Sequence, residues 1–360
     1  MATIYDVANA AGISPKTVSR VLNGDAPVRR ETREAVEAAI ARLGFVPSNA
    51  ARMMRSNRSG LVGLITGAIS TSQEPTQPAG LPDLFIVQGV QQALQDSGMT
   101  LMIADTGGHL NKVAPLVQTF LQHRVEGLIY VAEFHQRVAL PLVPETTPFV
   151  LVNCFDDRGT PAILPDDLRG QHDLVARLIA AGHRRIAYLT LKEEMVAGQL
   201  RREGYRMALA EAHLPYDPAL VENCDLSGHA GESQLLWDAI DRMLRLANPP
   251  SVFCCGNDKM ALRVYGILRS RGVKVPTEIS VAGYDNYRVI AETLFPPLTT
   301  VDLPYTAMGV RAAQRLLAMI SGEVREDRSP TLVGGPVYWR DSVTELRPAN
   351  VSKLKAVRED

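Results

Sequence analysis

Apolar positions recur along this chain in two rhythms, and the change between them falls near residue 60. Before it the spacing is helical. Ile4, Val7, Ala8 and Ala11 share one helical face behind Thr3, a residue type that caps helix starts. Gly12 then supplies the backbone freedom for a turn. Ser14 can cap a second helix, and Pro15 falls at its first position, where the missing N–H costs nothing. Val18, Val21 and Leu22 give this helix an inward face, Lys16, Thr17, Ser19 and Arg20 remain for the other side, and Asn23-Gly24 ends it. A third helix is predicted from about Arg30 to Leu43, with Thr32, Ala35, Val36, Ala39, Ile40 and Leu43 available to cover the first two.

From Leu61 the pattern becomes one of apolar runs separated by amphipathic helices. "LVGLITG", "TLMIAD", "VEGLIYVA" and "FVLVNC" form a first set, with helices predicted at 83–97 and 111–123. "RRIAYLTL", "SVFCCGN" and "ISVAGYD" form a second, with helices at 167–181, 198–212, 233–246 and 258–271. Apolar strands joined by helices imply parallel sheets covered on both faces, an α/β class. Two sets imply two lobes and a cleft where the C-terminal ends of the strands meet, the place where open α/β sheets bind ligands. Residues 67–83, "GAISTSQEPTQPAGLPD", break the rhythm and read as an irregular flap near the cleft mouth or as a surface loop.

Charge changes the picture at the N-terminal end. The 360 residues carry a formal net charge of −1, which taken alone argues against a nucleic-acid partner. Residues 1–60, however, hold nine Lys or Arg against five acids, a net +4, which leaves −5 for the rest. Such asymmetry points to a polyanion partner for one end only. No apolar run approaches the roughly 18 residues of a membrane span, and "MATIYDVANAAG" lacks a basic segment followed by an apolar one, so a cytoplasmic protein is expected. Cys154, Cys224, Cys254 and Cys255 have no metal-ligand spacing and read as reduced core thiols, with Cys254 and Cys255 on opposite faces of a strand. Neither a metal nor a cofactor is expected.

A second helix that starts at a sharp turn and projects small, polar and basic groups from its N-terminal half has the geometry of a major-groove reader; the alternative is a structural three-helix module. "TIYDVANAAGISPKTVSRVLNG", followed by "VRRETREAVEAAIARLGFVPSNAAR", resembles the N-terminus of the lactose-repressor and galactose-repressor (LacI/GalR) family of bacterial regulators. The resemblance implies that Pro15, Lys16 and Arg20 select bases. Lys16 and Arg20 can donate to guanine O6 and N7, each good contact being worth about 1–3 kcal/mol. Thr17, Ser19 and Asn23 correspond to phosphate contacts, which set register.

Residues 45–60, "FVPSNAARMMRSNRSG", carry Arg52, Arg55 and Arg58 without an acid. They read either as a flexible linker or as a short helix from about Ser48 to Arg55 that forms on DNA and enters the minor groove. Small Ala50 and Ala51 permit close approach of two such helices, and Met54 can wedge between base pairs. The family resemblance implies the hinge helix, with Met54 where leucine is usual, and Ala51, Arg52, Met54 and Arg55 as its DNA contacts.

The resemblance extends through "GHRRIAYLT", "LRREGYRMAL", "CGNDKMALRVYGILRSRGVKVPTEISVAGYDN" and "PPLTTVDLPYTAMG". It implies a two-lobed core like that of periplasmic binding proteins, in which the chain crosses between lobes near 165, 303 and 332. The expected domains are a helix-turn-helix head over 1–46, a hinge over 47–60, a core over 61–345 and a tail over 346–360. One lobe takes about 61–164 and 304–331, the other 165–302 and 332–345.

Polar residues at strand ends are the ligand candidates: Asn153, Asn257 and Asp285, with Arg201 at the start of its helix. A forked guanidinium beside carboxylates and amides can bracket neighbouring hydroxyls of a polyol. By resemblance these match the family's effector positions, with Asp83, Leu226 and Tyr305 as additions. Asn257-Asp258 can equally be a helix cap and Asp285-Asn286 a turn.

No GxSxG elbow, Walker A loop, strand-following GxGxxG or HExxH is present, so catalysis is unsupported. A secreted sugar-binding protein would share the two-lobed body but have no use for a basic helical head. The expectation is a homodimeric, sequence-specific regulator, a repressor, that binds pseudo-palindromic double-stranded DNA under control of a small polar effector such as a sugar, with a nucleobase as the alternative class. Two matched heads read a site long enough for genomic selection where one cannot.

Overall fold

The computed structural model describes residues 2–24, 27–46, 58–67, 81–225, 232–323 and 329–346, with the backbone alone at 23, 81–83 and 232–233. The head consists of helices α1 (Ile4–Ala11), α2 (Pro15–Asn23) and α3 (Arg30–Leu43). Local chemistry sets each boundary. Thr3 accepts from the Asp6 N–H while Asp6 reaches back to the Thr3 N–H, a reciprocal cap at the start of α1. Ser14 accepts from the Thr17 N–H at 3.2 Å, with Pro15 at the first helical position. Gly12, Gly24 and Gly44 close the three helices in the left-handed region, with φ of 67°, 69° and 58°.

The inward faces of these helices meet in a core of Val7, Ala8, Val18, Val36 and Ala39, with Val21, Leu22, Ile40 and Phe45 packed around it. Ala35 and Leu43, also offered by the helical spacing of α3, stay exposed.

The core domain holds two six-stranded sheets. The first has the order β11-β5-β4-β3-β1-β2, built from β1 (Leu61–Thr66), β2 (Thr100–Asp105), β3 (Gly127–Arg137), β4 (Phe149–Phe155), β5 (Ala162–Pro165) and β11 (Thr331–Val333). Helices α4 (Leu81–Leu94) and α5 (Val113–Gln122) connect its early strands. The second has the order β12-β10-β9-β8-β6-β7. Its strands are β6 (Ile186–Thr190), β7 (Val221–Asn223), β8 (Val252–Cys255), β9 (Ser280–Asp285), β10 (Thr299–Asp302) and β12 (Val337–Tyr338). Helices α6 (Asp167–Ala180), α7 (Val196–Glu211), α8 (Glu232–Leu244), α9 (Asp258–Ser270) and α10 (Arg288–Ala291) connect them.

The strands pair in parallel at β1·β3, β3·β4, β6·β8 and β8·β9, as continuous apolar runs predict, and antiparallel at β10·β12. The short strands β5, β7, β11 and β12 carry too little apolar pattern to be visible in the sequence.

Both faces of the central strands β1, β4, β6, β8 and β9 are buried. In the second sheet, Ala187, Leu189, Phe253, Cys255 and Val281 feed one core. Their neighbours Ile186, Tyr188, Val252, Cys254 and Ala282 feed the other. Cys254 and Cys255 therefore do point to opposite sides, and all four cysteines are buried free thiols. Burial pushes the Cys254 thiol up to about 12, so it stays protonated and unreactive.

The chain passes between the sheets three times. It goes from β5 to α6, which packs on α7 and β10, and from β10 back to α11 (Tyr305–Ser321), which packs on α4, β3 and β4. It returns from β11 to β12. Helices α4 and α11 meet with their backbones close, because a Cβ at Gly89 or Gly309 would run into the opposing carbonyls of Thr306 or Ile86. Among the described residues, no helix is long and apolar enough to cross a membrane.

Candidate functional site

Two surfaces carry candidate chemistry, one in the head and one in the core domain. In the head, Lys16 and Arg20 are exposed on α2, one turn apart, while Pro15, Thr17 and Ser19 are half-buried beside them. The Thr17 hydroxyl lies 2.9 Å from that of Ser14, so the cap and the presumed phosphate contact share one hydrogen-bonded pair. Of Asn23 only the backbone is described, at the last position of α2. Ala51, Arg52, Met54 and Arg55 lie outside the described residues.

In the core domain a cavity of about 140 Å³ opens between the two lobes. Five of the seven candidate effector residues line it: Asn153, Arg201, Asn257, Asp285 and Tyr305. Leu226 lies outside the described residues, and for Asp83 only the backbone within α4 is described.

Asn153 sits at the end of β4 with φ 60°, buried, and its Nδ2 donates to the Ala132 carbonyl at 3.1 Å. Asparagine tolerates this left-handed conformation better than most residues. Asn257 caps α9, its Oδ1 accepting from the Met260 N–H at 2.7 Å, so the helix-cap reading and the cavity position hold together. Asp285 has φ 118° at the end of β9, and the adjacent Asn286 is tied to Asp302 at 2.8 Å. The turn reading therefore applies to Asn286, while Asp285 faces the cavity.

The charged centre of the cavity is Arg201, only 3% exposed. Its Nε donates to Asp167 Oδ1 at 2.7 Å and its Nη1 to the Gly256 carbonyl at 2.6 Å. The guanidinium carbon stands 3.6 Å from the centre of the Tyr284 ring, and Asp285 Oδ1 lies 3.8 Å from Nη1. Burial opposes the arginine charge, but the Asp167 carboxylate outweighs it and raises the Arg201 pKa. Burial alone would raise the Asp167 carboxyl as well. The Arg201 guanidinium and a hydrogen bond from His135 overcome it and hold Asp167 below the usual carboxylate range. Asp285 is pushed up to about 7, chiefly by burial and by the negative charge of Asp167, with Arg201 opposing.

Sequence reasoning passed over Asp167 and His135, which both line the cavity. Asp167 follows Asp166, and Asp166 already caps α6 by accepting from the Arg169 N–H at 3.2 Å, so a pair of acids at a helix start reads as capping alone. His135 lies near the end of β3, within an irregularity in its pairing with β4 between Val131 and Gln136. There exposed Glu133 and Phe134 break the apolar pattern, and the segment reads as loop. His135 Nδ1 stands 2.8 Å from Asp167 Oδ2 with both side chains buried, linking the first lobe to the second. Among the described residues, no cluster of His, Cys, Asp and Glu is arranged to hold a metal.

Comparisons with known proteins bear on both surfaces. Residues 3–48 match the family model of bacterial regulatory proteins, lacI family, and residues 175–343 match the periplasmic binding protein-like domain. The chain is similar to the sucrose operon repressor of Escherichia coli, with 30% identity over 95% of this chain and 100% of that one. Among solved structures it is similar to the lac repressor dimer bound to operator and an anti-inducer, with TM-score 0.74 and 26% identity over 95% of this chain and 99% of that one. It is also similar to the transcriptional regulator CelR in complex with cellobiose, with TM-score 0.62 and 30% identity over 95% of this chain and 100% of that one.

Proposed function

The chain belongs to the lacI family of bacterial regulatory proteins, and from that membership we propose how its own residues divide the work of an effector-controlled, DNA-binding repressor. Lys16 and Arg20, with Pro15 against a thymine methyl, read bases in the major groove. Thr17, Ser19 and Asn23 hold phosphates. Ala51, Arg52, Met54 and Arg55 act at the minor groove, with Met54 as the wedge. The repressor works as a homodimer in the cytoplasm, because two heads are needed to read a two-fold-symmetric operator. Its role is binding rather than catalysis.

The effector, a sugar or sugar derivative, enters the cavity between the lobes and is held by Arg201, Asn153, Asn257 and Asp285, with Asp83, Leu226 and Tyr305 around it. Its arrival changes the angle between the lobes, and so the spacing of the two hinges and the fraction of paired heads competent for DNA. Coupling of this kind is typically about 1–3 kcal/mol. One observation carries the reading: an exposed pair of cations one turn apart at the start of a capped helix, in a chain that also buries an arginine at the wall of an inter-lobe cavity.

Selection from randomised duplex DNA tests it. The full chain should enrich a two-fold-symmetric site, and Arg20→Ala should relax the preference at one position in each half by about 1–3 kcal/mol. Enrichment of no site by the full chain at low salt would sink the assignment, and an unchanged preference would remove Arg20 from the reading set.

A further inference from the structure

The groups left open around the cavity include acceptors that the hydroxyls of a solute can meet. Asn153 gives one Nδ2 hydrogen to the Ala132 carbonyl, which leaves Oδ1 as an acceptor beside its second N–H. The Asp285 carboxylate accepts from the Asp258 N–H but is not hydrogen-bonded to Arg201, whose Nη1 stands 3.8 Å away, and so it keeps acceptor capacity. His135 completes the set. The ionised Asp167 accepts only from a protonated nitrogen, so the neutral imidazole carries its proton on Nδ1 and its lone pair on Nε2. That Nε2 is buried and has no hydrogen-bond partner among the described residues, and His135 lines the cavity. On the donor side stand the Asn257 Nδ2, because its Oδ1 is taken by Met260, and whatever Arg201 retains after Asp167 and Gly256.

Charge leans the same way. Asp167, Asp225 and Asp285 line the cavity with Arg201 as the one Lys or Arg among its lining residues, and Asp167 already compensates that guanidinium. Burial is the main reason that the Asp285 pKa is raised, and the negative charge of Asp167 adds to it. A phosphate or carboxylate group adds negative charge to a lining in which acids already outnumber the one arginine. An uncharged polyol brings O–H donors, one for each acceptor it meets.

We propose that this cavity selects an uncharged polyhydroxyl solute over its phosphorylated or carboxylated counterparts, and that His135 Nε2 accepts a hydrogen bond from one of its hydroxyls. The inference rests on the cavity being the effector site, and it adds a contact from the first lobe to the arginine, amide and carboxylate supplied by the second. Because His135 also bonds Asp167, a hydroxyl on Nε2 joins one hydrogen-bonded chain running through His135 and Asp167 to Arg201.

The test is calorimetric titration of the purified full chain with matched solutes: glucose, gluconate and glucose 6-phosphate; ribose and ribose 5-phosphate; sucrose and sucrose 6-phosphate; and cellobiose. A neutral member should bind, with its charged counterparts at least about tenfold weaker, the scale of leaving charged or polar groups unmatched. His135→Leu should weaken the neutral ligand about tenfold, and His135→Gln, whose Oε1 restores an acceptor, should recover most of the loss; thermal melts verify that both variants fold. Binding confined to charged members, equal binding of both kinds, or binding by no neutral member overturns the selectivity. An unchanged Kd in His135→Leu overturns the histidine contact. A neutral ligand indifferent to both Asp285→Asn and Arg201→Lys overturns the cavity assignment itself, an outcome separate from failure of the selectivity.

Discussion

Arg20 and Arg201 are the same residue type in opposite surroundings. Arg20 is exposed on α2 and has no ion-pair partner among the described residues, in an N-terminal segment, residues 1–60, whose net charge is +4. Arg201 is 3% exposed, clasped by Asp167 and laid against the Tyr284 ring. An uncompensated surface cation acts through a field that reaches a polyanion before contact and weakens with salt. A buried, compensated one has no such reach and works by fixed geometry, indifferent to salt. The head is thus prepared to find a partner of opposite charge, and the cavity to recognise a shape and a hydrogen-bonding pattern. Folding makes different demands on them, because exposed Arg20 can be lost at little structural cost, whereas the core domain depends on buried Arg201 to compensate Asp167.

That contrast breaks most sharply with Arg201→Ala. Removing the guanidinium strands the Asp167 carboxylate in the interior, and unpairing a buried ion typically costs about 3–5 kcal/mol. Urea denaturation should show a loss of that size, while Arg20→Ala, at an exposed site, stays within about 0.5 kcal/mol of the parent. Equal midpoints for the two variants would mean that the buried pair contributes nothing.

A smaller effect is expected from Asp285→Asn, and it should depend on pH. A carboxyl held up to about 7 in the folded chain, well above its ordinary range, keeps a proton that the unfolded chain releases. It therefore favours folding at acid pH and loses that contribution as pH rises from about 4 to 7. The asparagine variant lacks this slope, so its melting temperature should gain on the parent across that window. A constant difference between pH 4 and 7 would show that burial does not raise this carboxyl.

The smallest effect belongs to the head. Ser14→Ala removes the cap of α2, for a loss of about 1 kcal/mol, and frees the Thr17 hydroxyl from its 2.9 Å partner. A melt of the head that ignores the change would mean that packing on Val18 alone holds the helix start.

The head was more legible than the cavity for a physical reason. Thr3, Ser14, Pro15 and the glycines at 12 and 24 act on their own neighbours within a few residues, and the spacing of Val7, Ala8 and Val18 is a local record of a helical face. The apolar strands of the core domain were legible too, since a run such as "VFCC" is buried on both sides. Asn153, Asn257 and Asp285 could be named because they end such runs. His135 and Asp167 could not. The histidine sits within a register irregularity that interrupts the pattern, and the aspartate stands behind another that performs an ordinary cap.

What the amino-acid order determined by itself was the helical head, the change of rhythm near residue 60, the alternation of strands and helices, and the separation of positive from negative charge. All of these depend on neighbours in the chain or on counting. Which carboxylate compensates Arg201, and which ring nitrogen is left without a partner, was decided by tertiary structure alone. Asp167 and Arg201 are 34 positions apart and His135 and Asp167 are 32, and they meet because the chain leaves one lobe after β5 and enters the other at α6. Charges so distant in sequence find each other only when burial forces every ion inside to have a partner, a condition that no local pattern records.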